Sequence, residues 1–245
     1  MPERIGIIGG SGLGNALLAA GVGQDHPVAT PFGAPSAPLM LGDWDGVPIA
    51  FLVRHGIGHT IPPSAVNYRA NIWALKSVGC RWVIASGAVG SLREEIAPRD
   101  LVLCDQTIDR TQGRACTFFD QPGGGAVHVE FADPFSDQLR RELLAAAAGL
   151  GQSSPNAAFT VHDRGTYVCM EGPAFSTRAE SRMHRQWGGD VIGMTALPEA
   201  KLAREAELSY AMVALATDYD SWKPHESTLN KQALLEEIIA NMEIA

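Results

Sequence analysis

The chain has 245 residues, 46% hydrophobic and 19% charged, with a formal net charge of −8 and a sequence pI near 5.3. That length and composition suit one α/β-type domain with a large buried core and exclude a disordered chain. The acidic balance argues against nucleic acid or an anionic membrane surface as a partner, because both are bound through many Lys and Arg, so any anion must be held locally.

The first residues carry no basic stretch leading into a long apolar segment, and no later run reaches about 18 apolar residues. A soluble, cytoplasmic protein is expected. The apolar run Ile5 to Ile8 ends in Gly9-Gly10-Ser11-Gly12, as a buried strand does on entering a tight turn. Pro, Gly and Ser mark a loop from Thr30 to Pro38, and Ile49 to Val53 reads as a strand that stops at Arg54-His55-Gly56. From Val66 to Val78 the apolar residues recur at helical spacing, with Gly79 as the stop. Trp82 to Ala85 reads as a strand ending at Ser86-Gly87-Ala88-Val89-Gly90, and Leu101 to Cys104 as a short one. Asp137 to Leu150 is helical, with Gly149-Leu150-Gly151 expected to close it.

After a polar connection from Gln152 to Ala158, Thr166 to Met170 is a strand and Arg178 to Trp187 a helix stopped by Gly188-Gly189. Val191 and Ile192 begin a short strand. Pro198 suits the first turn of a helix running to about Glu207, Tyr210 to Ala216 is a buried strand, and Gln232 to Ile244 an amphipathic helix. Strands alternating with helices imply a central mixed, mostly parallel sheet covered on both faces, in a single domain over residues 1–245. In such folds ligands sit outside the carboxyl ends of the strands.

The residues at those ends carry the candidate chemistry. Ser11, in its glycine turn, can aim a hydroxyl and backbone N–H groups at an anion, or can simply shape the turn. Gly10, Gly12 and Gly14 break the spacing of a dinucleotide fingerprint. Arg54 offers a planar fork to phosphate and His55 a further donor, the plainer alternative being a surface ion pair. His55 and His59 have the spacing of zinc ligands on a helix, but Gly56, Gly58, Pro62 and Pro63 argue against a helix there, so no metal is expected. Gly87 and Ala88 let a backbone come close to a ligand or make a tight turn. Thr195 binds an anion or caps the helix that follows. Asp218 and Asp220, at i and i+2 in an extended segment, project to one side, where they suit acid–base work, a divalent cation, or a solvated loop. Cys80, Cys104, Cys116 and Cys169 form no CxxC pair and read as scattered thiols of a reducing compartment.

Taken together, residues 5–13 (IGIIGGSGL), Arg54-His55-Gly56, residues 66–76 (VNYRANIWALK), 90–96 (GSLREEI), 171–176 (EGPAFS), 194–200 (MTALPEA) and 216–222 (ATDYDSW) closely resemble the methylthioadenosine phosphorylases of the purine nucleoside phosphorylase superfamily. The resemblance runs from residue 5 to about 225. It implies phosphorolysis of S-methyl-5′-thioadenosine without metal or organic cofactor, inorganic phosphate being a co-substrate. It also implies a phosphate site of Ser11, Arg54, His55, the Gly87-Ala88 backbone and Thr195, and a ribose contact at the Met194 backbone. Phe175 and Ser176 then lie at the purine, where Phe175 would otherwise read as an ordinary core aromatic. Asp218 protonates N7 of the leaving base and Asp220 accepts from its 6-amino group; 6-oxopurine enzymes of the superfamily have an asparagine in this region.

A homotrimer or hexamer is implied too, with His128 reaching the thioether pocket of a neighbouring subunit. Three features depart from the family pattern. Ser11 stands where Thr is common. Gly193 stands where Asn often precedes Met-Thr, as it does in some relatives that use methylthioinosine, which leaves a methylthioinosine or general purine nucleoside phosphorylase as the nearest alternative. The chain stops soon after the Gln232 helix, where many members continue with a segment that closes over the thioether. From another class, a silent nucleoside-binding protein is the remaining alternative.

Overall fold

Strand β1 (Arg4–Gly9) lies between two parallel neighbours, β4 (Val47–Val53) and β5 (Cys80–Ser91), in the computed structural model, which describes residues 3–10, 23–120, 123, 125–153 and 159–224. A strand covered on both faces has to be apolar throughout, and Ile8, Ala50, Leu52, Val83 and Ala85 have no exposed surface. On the outer side of β4, β3 (Leu39–Trp44) pairs with it antiparallel and β2 (Gln24–His26) forms the edge. Beyond β5 come β10 (Val191–Gly193), β9 (Thr166–Met170) and β7 (Gln106–Arg110). The second neighbour of β5 is β11 (Ser209–Tyr219), which carries β6 (Leu101–Leu103) and then β8 (Val161–His162). Among the described residues these strands form one sheet, mixed and mostly parallel, as expected: six of its ten pairings are parallel.

Four α-helices are found among the described residues. Helix α1 (Tyr68–Ser77) starts at Asn67, whose side chain accepts the Ala70 amide, and buries Ala70, Ile72, Ala74 and Leu75. Helix α2 (Asp137–Ser153) leans on β6 and β11. Thr177 and Glu180 form a reciprocal capping box at the start of α3 (Arg178–Gln186). The last helix, α4 (Ala196–Glu205), packs on α1 and over β11 and β9, burying Ala196, Leu197, Ala200, Leu202 and Ala203.

Element boundaries differ from the sequence reading most at β5, α2 and β11, which runs past Ala216 to Tyr219. Strand β5 does not end at Ala85 but runs through the glycine segment to Ser91, because β11 pairs with it from Ser209↔Trp82 to Tyr219↔Ser91. Helix α2 passes through Gly149 to Ser153, since an interior glycine costs a helix about 1 kcal/mol without forbidding it. Strands β2, β3, β7 and β8 escaped the reading: β2 is three exposed polar residues and β8 only two residues long. Ser11, residues 154–158 of the polar connection and the segment 232–244, expected to be helical, lie outside the described residues.

The sheet has a split that places the site. On one side of β5, β1 pairs only as far as Ile8↔Ala85, and β10 resumes the edge at Ile192↔Gly90. Residues 86–89 therefore have no strand partner on that side among the described residues, while β11 covers the other side throughout. At the far end of that pairing β11 carries a bulge: Ala216 faces Val89 and Asp218 faces Gly90, leaving Thr217 as the extra residue.

Candidate active site

The split opens into a cleft of about 480 Å³. Its walls include Gly10, Arg54 and His55 from the ends of β1 and β4, Gly87 to Gly90 from β5, Met194 and Thr195 after β10, and Thr217, Asp218 and Asp220 around the end of β11. The predicted groups from distant parts of the chain are thus brought to one place, at the carboxyl ends of parallel strands.

Arg54 is fully buried. The surface ion pair considered from the sequence is therefore replaced by a buried one. Its Nε and Nη2 both donate to the Glu199 carboxylate at 2.9 Å, and Nη1 donates to the Ser86 carbonyl at 2.7 Å. Burial alone would lower the Arg54 pKa, but the Glu199 charge outweighs it and raises it, so the guanidinium stays protonated. Of its five N–H groups, three are committed among the described residues; one on Nη1 and one on Nη2 remain. Glu199 is in turn fixed by the Tyr210 hydroxyl, which donates to Oε2 at 2.8 Å. Gly10 makes this approach possible: a Cβ there would stand 2.6 Å from the Ser86 carbonyl and 3.1 Å from Arg54 Nη1.

His55 departs from its expected role as a donor. Its Nδ1 lies 2.9 Å from the Ile61 carbonyl, which can only accept, so Nδ1 carries the proton. Burial, reinforced by the Arg54 charge, lowers its pKa from 6.5 to about 4. The neutral ring has therefore used its one N–H, and Nε2 is an acceptor that suits the hydroxyl of a protonated phosphate rather than a bare oxygen. The His59 ring lies beside it, 4.4 Å between centroids. Among the described residues no three metal-ligating side chains gather.

Thr195 is the residue before α4 and makes no side-chain cap hydrogen bond, so its hydroxyl is not spent on the helix, the alternative weighed from the sequence. The turn it belongs to is held by Arg114, whose Nη1 donates to the Met194 and Leu197 carbonyls at 2.7 and 2.9 Å and whose Nε pairs with Glu171. Neither Arg114 nor Glu199 was singled out from the sequence. Glu199 had a readable signal, a carboxylate in the otherwise apolar first turns of α4; Arg114, in a polar loop, had none.

At the opposite wall, the hydroxyl of the bulge residue Thr217 lies within hydrogen-bond reach of both the Val89 carbonyl (3.2 Å) and Asp218 Oδ2 (3.0 Å), with a single proton to share between them. Asp220 is buried, and its Oδ2 has no hydrogen-bond partner among the described residues. The segment after β11 is tied down by Asp220 N and Trp222 Nε1 on the Ser91 carbonyl and by Ser221 Oγ on the Ser176 carbonyl. Phe175 lines the cleft and is 63% exposed, which removes the reading of an ordinary core aromatic. Ser176 is buried behind that wall, its hydroxyl against the Met170 sulfur, and is not part of the cleft lining. His128 is not brought to this cleft either; it lies in an exposed irregular segment between β7 and α2.

The model of the phosphorylase superfamily matches residues 4–245. A protein named S-methyl-5′-thioadenosine phosphorylase from Hyperthermus butylicus is 50% identical over 94% of this chain and 80% of its own length; one of the same name from Geobacter sulfurreducens is 50% identical over 100% and 82%. Among solved structures, methylthioadenosine phosphorylase from Schistosoma mansoni in complex with adenine superposes with a TM-score of 0.90 at 40% identity, covering 99% of this chain and 89% of that one. A mutant of the adenosine/methylthioadenosine phosphorylase from the same organism, in complex with methylthioadenosine, also gives 0.90, at 39% identity, covering 99% and 88%.

Proposed function

Because the chain belongs to the phosphorylase superfamily, we propose that this cleft is where it cleaves the N-glycosidic bond of S-methyl-5′-thioadenosine with inorganic phosphate. The products are adenine and 5-methylthioribose 1-phosphate. One observation carries the reading: two N–H groups of a buried Arg54, uncommitted among the described residues, and the Thr195 hydroxyl share a single cleft with the Asp218–Asp220 pair.

Phosphate is held by Ser11, Arg54, His55, the Gly87-Ala88 backbone and Thr195, and the ribose hydroxyls meet the Met194 backbone. Because Glu199 offsets the Arg54 charge, the anion brings net negative charge into the cleft, which favours a ribosyl cation-like centre beside it. A phosphate oxygen forms the new bond to C1′ from the face opposite the base. The C1′–N9 pair departs with the purine, and N7 takes a proton from Asp218. Asp220 accepts from the 6-amino group, which supplies a partner for its Oδ2. Phe175 packs on the purine, with Ser176 in support behind it. No metal or organic cofactor takes part.

The whole chain acts as one domain in a homotrimer or hexamer. His128 then reaches a neighbour's thioether pocket; Val127 and Val129 on either side of it, 44% and 36% exposed, are apolar surface that a subunit contact would cover. All four cysteines are free thiols, in keeping with the cytoplasm, where the products enter purine and methionine salvage. No helix of the described residues is long and apolar enough to cross a membrane.

The test is base release from methylthioadenosine, adenosine and methylthioinosine, each with and without phosphate. Phosphate-dependent adenine release favouring the methylthio substrate is expected. Release without phosphate would make the protein a hydrolase, and preference for methylthioinosine would overturn the substrate assignment.

A further inference from the structure

Tyr167 is only 1% exposed and belongs to β9, where it faces Val191 in the ladder with β10. Its phenol oxygen accepts the Thr195 amide at 3.4 Å, inside the turn whose Met194 carbonyl Arg114 holds from the other direction. A Cβ built on Gly193 would stand 2.0 Å from that same oxygen, 2.6 Å from ring carbon Cζ and 3.1 Å from Val89 Cγ1. Real Cβ contacts essentially never fall below 3.0 Å, and a buried phenol ring between packed strands has nowhere to swing. The Tyr167 hydroxyl and a side chain at position 193 therefore exclude each other.

We propose that Tyr167 is a positioning residue for the anion end of the cleft, acting through the Thr195 amide, and that the glycine at 193 is dictated by the Tyr167 hydroxyl rather than by which purine is bound. The inference rests on the phosphorylase reading for its first half. The second half is steric and independent of it. A marker that the sequence pairs with base preference is then a packing partner of the phosphate site, and the base is read by Asp218 and Asp220 alone.

Tyr167→Phe keeps the ring and deletes the acceptor. Losing one buried hydrogen bond to the Thr195 amide should raise KM for phosphate about 5-fold while kcat and the KM for methylthioadenosine stay within about 2-fold. A rise in both KM values together, or in neither, overturns the positioning role. Gly193→Ala should lower the thermal midpoint by about 5 °C with Tyr167 present and by under about 1 °C in a Tyr167→Leu background, which removes the oxygen and Cζ. Equal losses in both backgrounds overturn the steric claim, whatever the enzyme turns over. Adding Gly193→Asn to Tyr167→Leu should leave the kcat/KM ratio of methylthioadenosine to methylthioinosine within about 3-fold. A shift of about 10-fold or more in that ratio would return base selection to position 193. If the wild type itself releases base without phosphate, the functional reading fails, and the thermal arm still decides the Tyr167–Gly193 exclusion.

Discussion

The two ends of the cleft are built differently. At the anion end, Arg54, Glu199, Tyr210, Tyr167, Thr195 and Arg114 are held in hydrogen bonds that, among the described residues, leave a pair of Arg54 N–H groups unspent. At the base end, Asp220 keeps a buried oxygen with no partner among the described residues and Phe175 stands 63% exposed. The anion end is fixed in place by the protein's own hydrogen bonds before anything binds, whereas the base end is completed by what binds there. Damage to the first should show in stability as well as turnover, and damage to the second in turnover alone.

The largest expected effect tests that asymmetry from the base side. Asp218→Asn removes the proton for N7 and should lower kcat on methylthioadenosine about 10³-fold with the thermal midpoint nearly unchanged; near wild-type turnover would remove Asp218 from the chemistry. Glu199→Gln breaks the other end. It strands a buried guanidinium, so unfolding should cost about 3 kcal/mol less, with a raised KM for phosphate, measured by denaturant unfolding and initial rates. A stability unchanged by Glu199→Gln would mean that the two ends do not differ in kind. Phe175→Ala should raise the nucleoside KM about 10-fold and leave the phosphate KM alone. An equal change in both would place Phe175 outside the base subsite.

The smallest effect is a pH dependence. His55 has a folded pKa of about 4 against an ordinary 6.5, so between those values the unfolded chain binds the extra proton. Its contribution to stability is whole above pH 6.5 and disappears as pH falls toward 4. The thermal midpoint of wild type should fall more steeply across that window than that of His55→Gln; parallel profiles would mean that the ring is not held neutral.

Much of the site was legible because strands that are buried on both faces are apolar until they end. Arg54-His55 and Asp218-Tyr219-Asp220 stand out where such runs stop. The partners that make those residues work were not legible. Glu199 is 145 positions from Arg54, and nothing local to either tells that they meet. Arg114 has no periodic context at all. Edge strands such as β2 are held by neighbours rather than by their own apolar pattern, so no period in the sequence reveals them. The glycine segment at 87–90 was misjudged as a strand end because its unpaired side is a property of where β1 and β10 stop, not of β5.

The bulge at Thr217 sets the parity of everything after it. A strand shows alternate residues to alternate faces, and the single extra residue between Ala216 and Asp218 shifts that alternation by one step. Upstream of it, β11 is hydrophobic core; downstream, Asp218 at the end of the strand and Asp220 just past it line the cleft. Point substitutions in the upstream half therefore leave the frame of the carboxylates intact. Deleting Thr217 would leave Ala216 opposite Val89 and Asp218 opposite Gly90, and would remove only the bulge and the hydroxyl that reaches the Val89 carbonyl and Asp218, whereas a residue added or removed elsewhere between Asp218 and the paired upstream strand would move the carboxylates off their face. For a designer grafting this site onto another sheet, the pairing of Asp218 with Gly90 is what has to be carried over, and the bulge is the one place in the strand where a change of chain length leaves that pairing standing.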